Sequence, residues 1–242
     1  MPNMTARDRL IVALDMPTLE AARTLVHQLD DTVSFYKVGL ELLFAGGLEF
    51  AQELRHMRKR VFLDMKLLDI GNTVERAVAN AAELGLTFLT VHGTDAKTMR
   101  AAVSGRGDKP LKLLAVTVLT NLTADDLVQQ GSSMSPADLV LHRARLAYQS
   151  GFDGVIASGQ EAGRIRQATS DRFLIVTPGI RLAGGGADDQ VRITTPESAI
   201  LSGADHLVVG RPITEASEPK LMAETFIRHI REAHTKVVRG TG

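Results

Sequence analysis

Apolar positions come in short blocks along the chain rather than in strict alternation with polar ones. Eight runs rich in Val, Ile, Leu and Ala stand at 9–15 (RLIVALD), 33–39 (VSFYKVG), 60–66 (RVFLDMK), 87–93 (TFLTVHG), 111–120 (LKLLAVTVLT), 154–158 (GVIAS), 173–179 (FLIVTPG) and 206–210 (HLVVG). Continuous apolar runs of this length predict strands buried on both faces of a parallel sheet. The segments between them have helical spacing. Leu19, Ala22, Leu25, Val26 and Leu29 share one stripe, as do Val74, Ala77, Val78, Ala81 and Leu84, with Gly85 placed to end that helix. Thr195-Pro196 reads as the N-cap and first residue of another helix, closed by Gly203. The last amphipathic segment, 218–236, carries Leu221, Met222, Phe226 and Ile230. Eight strand-then-helix units predict a (β/α)8 TIM barrel, one α/β domain over 1–242. An open doubly wound sheet is the alternative.

Composition narrows the function classes. Among 242 residues, Lys+Arg and Asp+Glu are 28 each, which argues against a polyanion binder, so no nucleic-acid partner is expected. There is no Trp and only two Tyr, a poor supply for a base-stacking platform. The absence of Cys excludes disulfides, thiolate metal sites and a cysteine nucleophile. No apolar run approaches the roughly 18 residues of a membrane span, and the stretch MPNMTARDRLIVALD lacks a signal-like apolar region. A soluble, cytoplasmic protein without a membrane partner is expected.

Barrel enzymes place their chemistry at the C-terminal ends of the strands. Asp15 ends the first predicted strand, Lys37 lies on the second, and Asp64 and Lys66 end the third, followed by Asp69. Buried strands normally avoid charge. Asp64 and Lys66 are two apart and so point to one face of a regular strand. With Lys37 and Asp69 they predict an alternating Lys–Asp–Lys–Asp array. A lysine flanked by carboxylates has its charged form favoured, which suits a cationic proton donor and counts against a Schiff-base lysine. Thr120 ends the fifth predicted strand.

A second constellation follows strands 7 and 8, where barrels commonly bind phosphate. Pro178-Gly-Ile-Arg181 leads into a glycine-rich segment, Gly184-Gly-Gly-Ala-Asp-Asp-Gln190, of the kind used as a lid. Gly210 leaves backbone N–H groups open to an anion, and Arg211 adds a charged fork. The seven histidines have no metal-ligand spacing such as HExxH, and no metal site is predicted. His92 is expected to pack or hydrogen-bond at the end of strand 4. His27, His56, His142, His229 and His234 are expected on helix surfaces, and Arg164 and Arg166 on a solvated helix face. Ser158 has no evident base partner to make it a nucleophile.

The motif Asp64-x-Lys66-x-x-Asp69-Ile-x-Asn72-Thr73 resembles the signature of the orotidine 5′-phosphate decarboxylase family (type 1, bacterial-like). So do, in order, ALD, YKVG, VTVLT, VTPGIR, ADDQ and VVGRPI. Leu67-Leu68 depart from the aromatic and histidine that many relatives carry, and Gly71 stands where proline is frequent; neither removes a charge. The resemblance implies decarboxylation of orotidine 5′-phosphate to uridine 5′-phosphate without cofactor or metal, in a homodimer with shared active sites. It implies that Asp15 and Lys37 hold the ribose hydroxyls, and that Asp64 lies by the substrate carboxylate. It makes Lys66 the donor of the C6 proton, and brings Asp69 and Thr73 from the second subunit. Thr120 and Pro178 would meet the pyrimidine, Arg181, Gly210 and Arg211 the phosphate, and Gln190 would bridge phosphate and base. Two other readings are a magnesium-dependent phosphosugar decarboxylase of the same superfamily, with Glu41 near the strand 2 position of a metal-ligating carboxylate, and a non-catalytic phosphate-ligand sensor.

Overall fold

The computed structural model describes residues 4–184 and 194–240. All eight predicted strands form: β1 (Leu10–Ala13), β2 (Phe35–Val38), β3 (Arg60–Leu67), β4 (Phe88–His92), β5 (Lys112–Val116), β6 (Gly154–Ile156), β7 (Leu174–Thr177) and β8 (His206–Val209). Each pairs in parallel with its chain neighbours, and β8 closes onto β1. The (β/α)8 barrel is therefore the observed fold, and the open sheet is excluded.

The helices begin where the sequence provides acceptors for their unsatisfied N–H groups. Thr18 accepts from the Ala21 N–H at the start of Leu19–Leu29, Asp95 from Thr98 N–H before Ala96–Arg106, and Thr195 from Ser198 N–H before Pro196–Leu201. Gly85 and Gly203 both have positive φ just past helix ends. The apolar stripe of each helix packs on the outside of the barrel: Ala22, Leu25, Val26 and Leu29 are buried there, as are Val74, Val78 and Ala81.

Inside the barrel, Ile11, Phe35, Phe62, Phe88, Leu114, Leu174 and Val208 form a separate packed layer. Below it, His206 is buried against the Phe35 and Phe88 rings, with Nδ1 at 3.1 Å from the Asp8 carbonyl oxygen. Filling the lower barrel with side chains leaves only its upper end open, and the charged ends of β1 to β3 lie there.

Two expectations need correction. The fifth strand stops at Val116, not at Thr120, because the Thr117 carbonyl is taken by the Arg143 guanidinium and its hydroxyl turns to the Ile156 carbonyl. Arg166 does not lie on a solvated face. Its guanidinium donates to the carbonyls of Ser170, Phe173 and Gly203 and pairs with Asp205 at 2.7 Å, tying three connections together. Arg164 does lie on an exposed face, paired with Asp138.

Candidate active site

A cleft of about 770 Å³ opens at the C-terminal end of the strands. Asp15, Lys37, Asp64, Lys66, Thr120, Pro178, Arg181, Gly210 and Arg211 all line it. Its floor is apolar and comes from Ala13, Phe62, Ile156 and Val208.

The charged wall is a chain of four groups. Lys37 Nζ lies 2.8 Å from Asp15 Oδ1 and 3.4 Å from Asp64 Oδ2, and Lys66 Nζ lies 2.8 Å from that same Asp64 oxygen. The order is Asp15–Lys37–Asp64–Lys66. The alternation is as predicted, but within one chain its fourth member is Asp15 rather than Asp69. Asp69 is exposed, and its carboxylate accepts the Ile70 N–H at 2.6 Å. Thr73 is likewise exposed, in the first turn of the helix Gly71–Glu83.

Burial works against the two inner charges of this wall, Lys37 and Asp64. Burial pushes the Lys37 pKa down, but the Asp64 and Asp15 carboxylates outweigh it and hold the ammonium above its ordinary value. Burial likewise pushes the Asp64 carboxyl up, and Lys37, Lys66 and the Thr90 hydroxyl outweigh it, so its pKa is lowered. Lys37 and Asp64 are thus both held ionised beside an apolar floor. Gly39 packs closely under the Asp15–Lys37 pair: a Cβ there would crowd Asp15 Oδ1 and stand 2.8 Å from Lys37 Nζ.

Asp64 and Lys66 meet, but not through simple alternation. The β3–β4 register runs Leu63↔Leu89 and then jumps to Leu67↔Val91, so β3 bulges between them. Lys66 sits in the bulge with φ 49°, a left-handed conformation rare for a lysine. Bulges re-aim side chains next to functional sites. Thr90 on β4, fully buried, accepts the Lys66 N–H at 3.0 Å and donates to Asp64 Oδ1 at 2.9 Å. No pattern in the sequence singled out Thr90, since a threonine in an apolar run reads as a strand residue. His92, half-buried, has its pKa lowered by burial and by the nearby Arg143 and Lys66 charges.

Opposite the charged wall, Arg181 is buried and donates to the Ile180 carbonyl at 3.0 Å. Ile180 bridges to Thr194 across the base of the glycine-rich connection. Gln190 lies outside the described residues. Arg211 opens the short helix Arg211–Thr214, and a Cβ on Gly210 would touch only the Ala13 Cβ, at 3.6 Å. Packing therefore leaves room at Gly210, which borders the cleft together with Arg211.

The family model for the orotidine 5′-phosphate decarboxylase / HUMPS family matches residues 8–226. The chain belongs to the orotidine 5′-phosphate decarboxylase family. Among its relatives, the orotidine 5′-phosphate decarboxylase of Rhodopseudomonas palustris (strain BisA53) is 52% identical over 230 residues, covering 95% of this chain and 97% of that protein. That of Nitrobacter winogradskyi is 53% identical over 228 residues, covering 94% and 95%. The crystal structure of orotidine 5′-phosphate decarboxylase from Lactobacillus acidophilus superposes with a TM-score of 0.80 at 37% identity, covering 91% of this chain and 98% of that one. The decarboxylase family therefore supplies both the fold and the sequence neighbours of this barrel.

One further group of metal-capable side chains exists among the described residues, on two outer helices: Glu197, His229 and Glu232, with ligand atoms within 4.8 Å of one another. Sequence spacing did not reveal it, because Glu197 comes from a separate helix. His229 is already hydrogen-bonded to Glu197 at 2.6 Å, and Glu232 faces Arg228 at 3.5 Å.

Proposed function

We propose that this chain decarboxylates orotidine 5′-phosphate to uridine 5′-phosphate and carbon dioxide, in de novo pyrimidine biosynthesis. The observation that carries this reading is the Asp15–Lys37–Asp64–Lys66 chain lining the same cleft as Arg181, Gly210 and Arg211. Family membership supports it, as do relatives of that name over nearly the whole chain.

The chemistry follows from the charges. When the C6–carboxylate bond breaks, its electron pair stays on C6 in the ring plane and cannot delocalise into the ring carbonyls. A fixed ammonium is then the main means of stabilising it. Lys66 is that ammonium in our reading: it lies against the developing carbanion, donates its Nζ proton to C6, and regains a proton from water. Asp64 faces the departing carboxylate and favours its loss as neutral carbon dioxide. Asp15 and Lys37 hold the ribose hydroxyls, Thr120 and Pro178 border the pyrimidine, and Arg181, Gly210 and Arg211 hold the phosphate. Gln190 joins them from the glycine-rich connection. Binding energy from the remote phosphate orients the ring for the slow step. The positive charge comes from the chain's own lysine, so the reaction needs no added cofactor.

We also read the enzyme as a single-domain cytoplasmic homodimer that shares its sites. No helix among the described residues is long and apolar enough to cross a membrane. Leu40, Phe44 and Leu48 after β2 and Leu68 and Ile70 after β3 are exposed, Phe44 by 89% and Ile70 by 73%. Apolar exposure on two adjacent connections marks an association surface, and Asp69 and Thr73 lie beside it.

The deciding assay is loss of the orotidylate absorbance on adding purified protein with EDTA present. Conversion to uridylate is expected. Turnover abolished by EDTA would favour the magnesium-dependent reading, although in this structure Lys37, with Nζ held between Asp15 and Asp64, occupies the strand 2 position beside Glu41. No turnover under any condition would favour the sensor.

A further inference from the structure

The geometry points to Thr90 as a positioning residue for the proposed proton donor: one hydroxyl locks the Lys66 backbone and the Asp64 carboxylate into a single unit. The inference rests on the decarboxylase reading for its consequence, but the lock itself is a matter of geometry.

Thr90 lies on β4, is fully buried and belongs to the run FLTVH, in which either Thr or Val would satisfy a strand. Its hydroxyl does what Val cannot. The bulge in β3 breaks the ladder between Leu63 and Leu67, and there Thr90 Oγ1 accepts the Lys66 N–H at 3.0 Å. The same hydroxyl donates its proton to Asp64 Oδ1 at 2.9 Å. The other oxygen, Asp64 Oδ2, is the one shared by Lys66 at 2.8 Å and Lys37 at 3.4 Å. Thr90 therefore fixes the rotation of the carboxylate plane while the lysines load its far side.

Lys66 needs this support more than an ordinary strand residue would. Its φ of 49° is a conformation that persists only where the surroundings over-determine it. Without the acceptor, the part-buried Lys66 N–H would be left unpaired, and the local chain would gain reason to relax. A relaxed bulge moves Nζ relative to C6, and small misplacements of a reacting group cost rate more than they cost binding. Substrate grip through ribose and phosphate comes from other elements. The expected signature is therefore a loss in kcat with KM nearly untouched.

The test compares wild type with Thr90→Val and Thr90→Ser. Thr90→Val keeps the shape and removes the hydroxyl; Thr90→Ser keeps the hydroxyl. For Thr90→Val, kcat for orotidylate should fall about 10- to 100-fold, while KM and the uridylate dissociation constant stay within about threefold. Thr90→Ser should recover kcat to within about threefold of wild type. Amide hydrogen exchange at Lys66, read on the uridylate-free protein, should accelerate in Thr90→Val and not in Thr90→Ser. Unchanged kcat and unchanged Lys66 protection in Thr90→Val would overturn the proposal. So would parallel losses of kcat, uridylate affinity and melting temperature in both variants, which would mark Thr90 as packing alone. A wild-type protein that turns over no orotidylate would reject the decarboxylase reading instead, and the Lys66 exchange comparison would still decide the lock.

Discussion

Lys66 Nζ and Asp64 Oδ2 lie 2.8 Å apart, both within the stretch where β3 bulges between Leu63 and Leu67. Asp64 is nine-tenths buried and serves two ammonium groups at once, Lys66 and Lys37. Removing one partner of a buried charge pair leaves the other uncompensated. Buried ion pairs are seldom a net source of stability, which favours a functional reading of this one. A substrate that carries its own carboxylate to this wall meets repulsion at Asp64 and attraction at Lys66.

Lys66→Ala should abolish turnover while uridylate still binds measurably by calorimetry. Loss of a general acid alone costs about 10²- to 10⁴-fold. A larger loss would show that the ammonium also stabilises the carbanion electrostatically. Near wild-type activity would remove Lys66 from the mechanism.

Gly39→Ala tests the array without touching a charged residue. The added Cβ would crowd Asp15 Oδ1 and stand 2.8 Å from Lys37 Nζ, so these side-chain ends must shift. A drop in kcat/KM of at least about tenfold is expected, equivalent to roughly 1.4 kcal/mol, with a circular dichroism spectrum like that of wild type. Unchanged kcat/KM would show that the array absorbs the added methyl group without losing its working geometry.

These two cases mark where sequence patterns suffice and where they stop. The strands were legible because a buried parallel strand is a continuous apolar run, and charges at the ends of three such runs had nowhere to be but the barrel mouth. Asp15, Lys37, Asp64 and Lys66 could be placed on the cleft for that reason, and Pro178, Arg181, Gly210 and Arg211 because barrels commonly bind phosphate after strands 7 and 8. Contacts between strands were not legible. The bulge at Lys66 and the Thr90 hydroxyl depend on a register jump between β3 and β4, which leaves no periodic signal. Arg166 was misplaced for a similar reason. Its partner Asp205 is 39 residues away, and an arginine on an amphipathic helix looks the same whether it meets water or a carbonyl cluster. His206 opens an apolar run and carries no motif.

That histidine makes a stability prediction. Burial lowers the His206 pKa from its ordinary 6.5 to about 3. Between these values the unfolded chain binds a proton that the folded chain does not, so stability falls as pH falls through the window. Each pH unit there costs about 1.4 kcal/mol. His206→Gln should therefore lose less stability than wild type between pH 6.5 and pH 4, measured as the shift in urea midpoint. Parallel pH profiles for the two proteins would mean that His206 is not the group that titrates.

Arg211→Ala should damage the phosphorylated substrate far more than the phosphate-free nucleoside orotidine. Arg211 borders the cleft beside Gly210, and a charged hydrogen bond is worth about 1.5–3 kcal/mol. That corresponds to roughly 10- to 150-fold in kcat/KM. An equal fall for both substrates would show that Arg211 does not serve the phosphate.

Mixing two inactive variants tests whether the site is shared. Asp69 is exposed, and among the described residues it forms no ion pair within its own chain. It stands between Leu68 and Ile70, which are 58% and 73% exposed. In the proposed dimer, covering these apolar side chains would bring the Asp69 carboxylate into the partner's cleft. In a two-fold dimer both sites would receive it alike. Lys66→Ala and Asp69→Asn should each be inactive alone. In a mixed dimer one site then collects both lesions and the other collects neither. Random reassortment makes about half the dimers mixed, so roughly a quarter of wild-type sites should return. If Asp69 acts within its own chain, every site in the mixed dimer keeps one lesion and no activity returns. A tagged pull-down confirms that the subunits have exchanged. With exchange confirmed, a silent mixture would reject the shared site and make Asp69 a partner of Lys66 in the same chain.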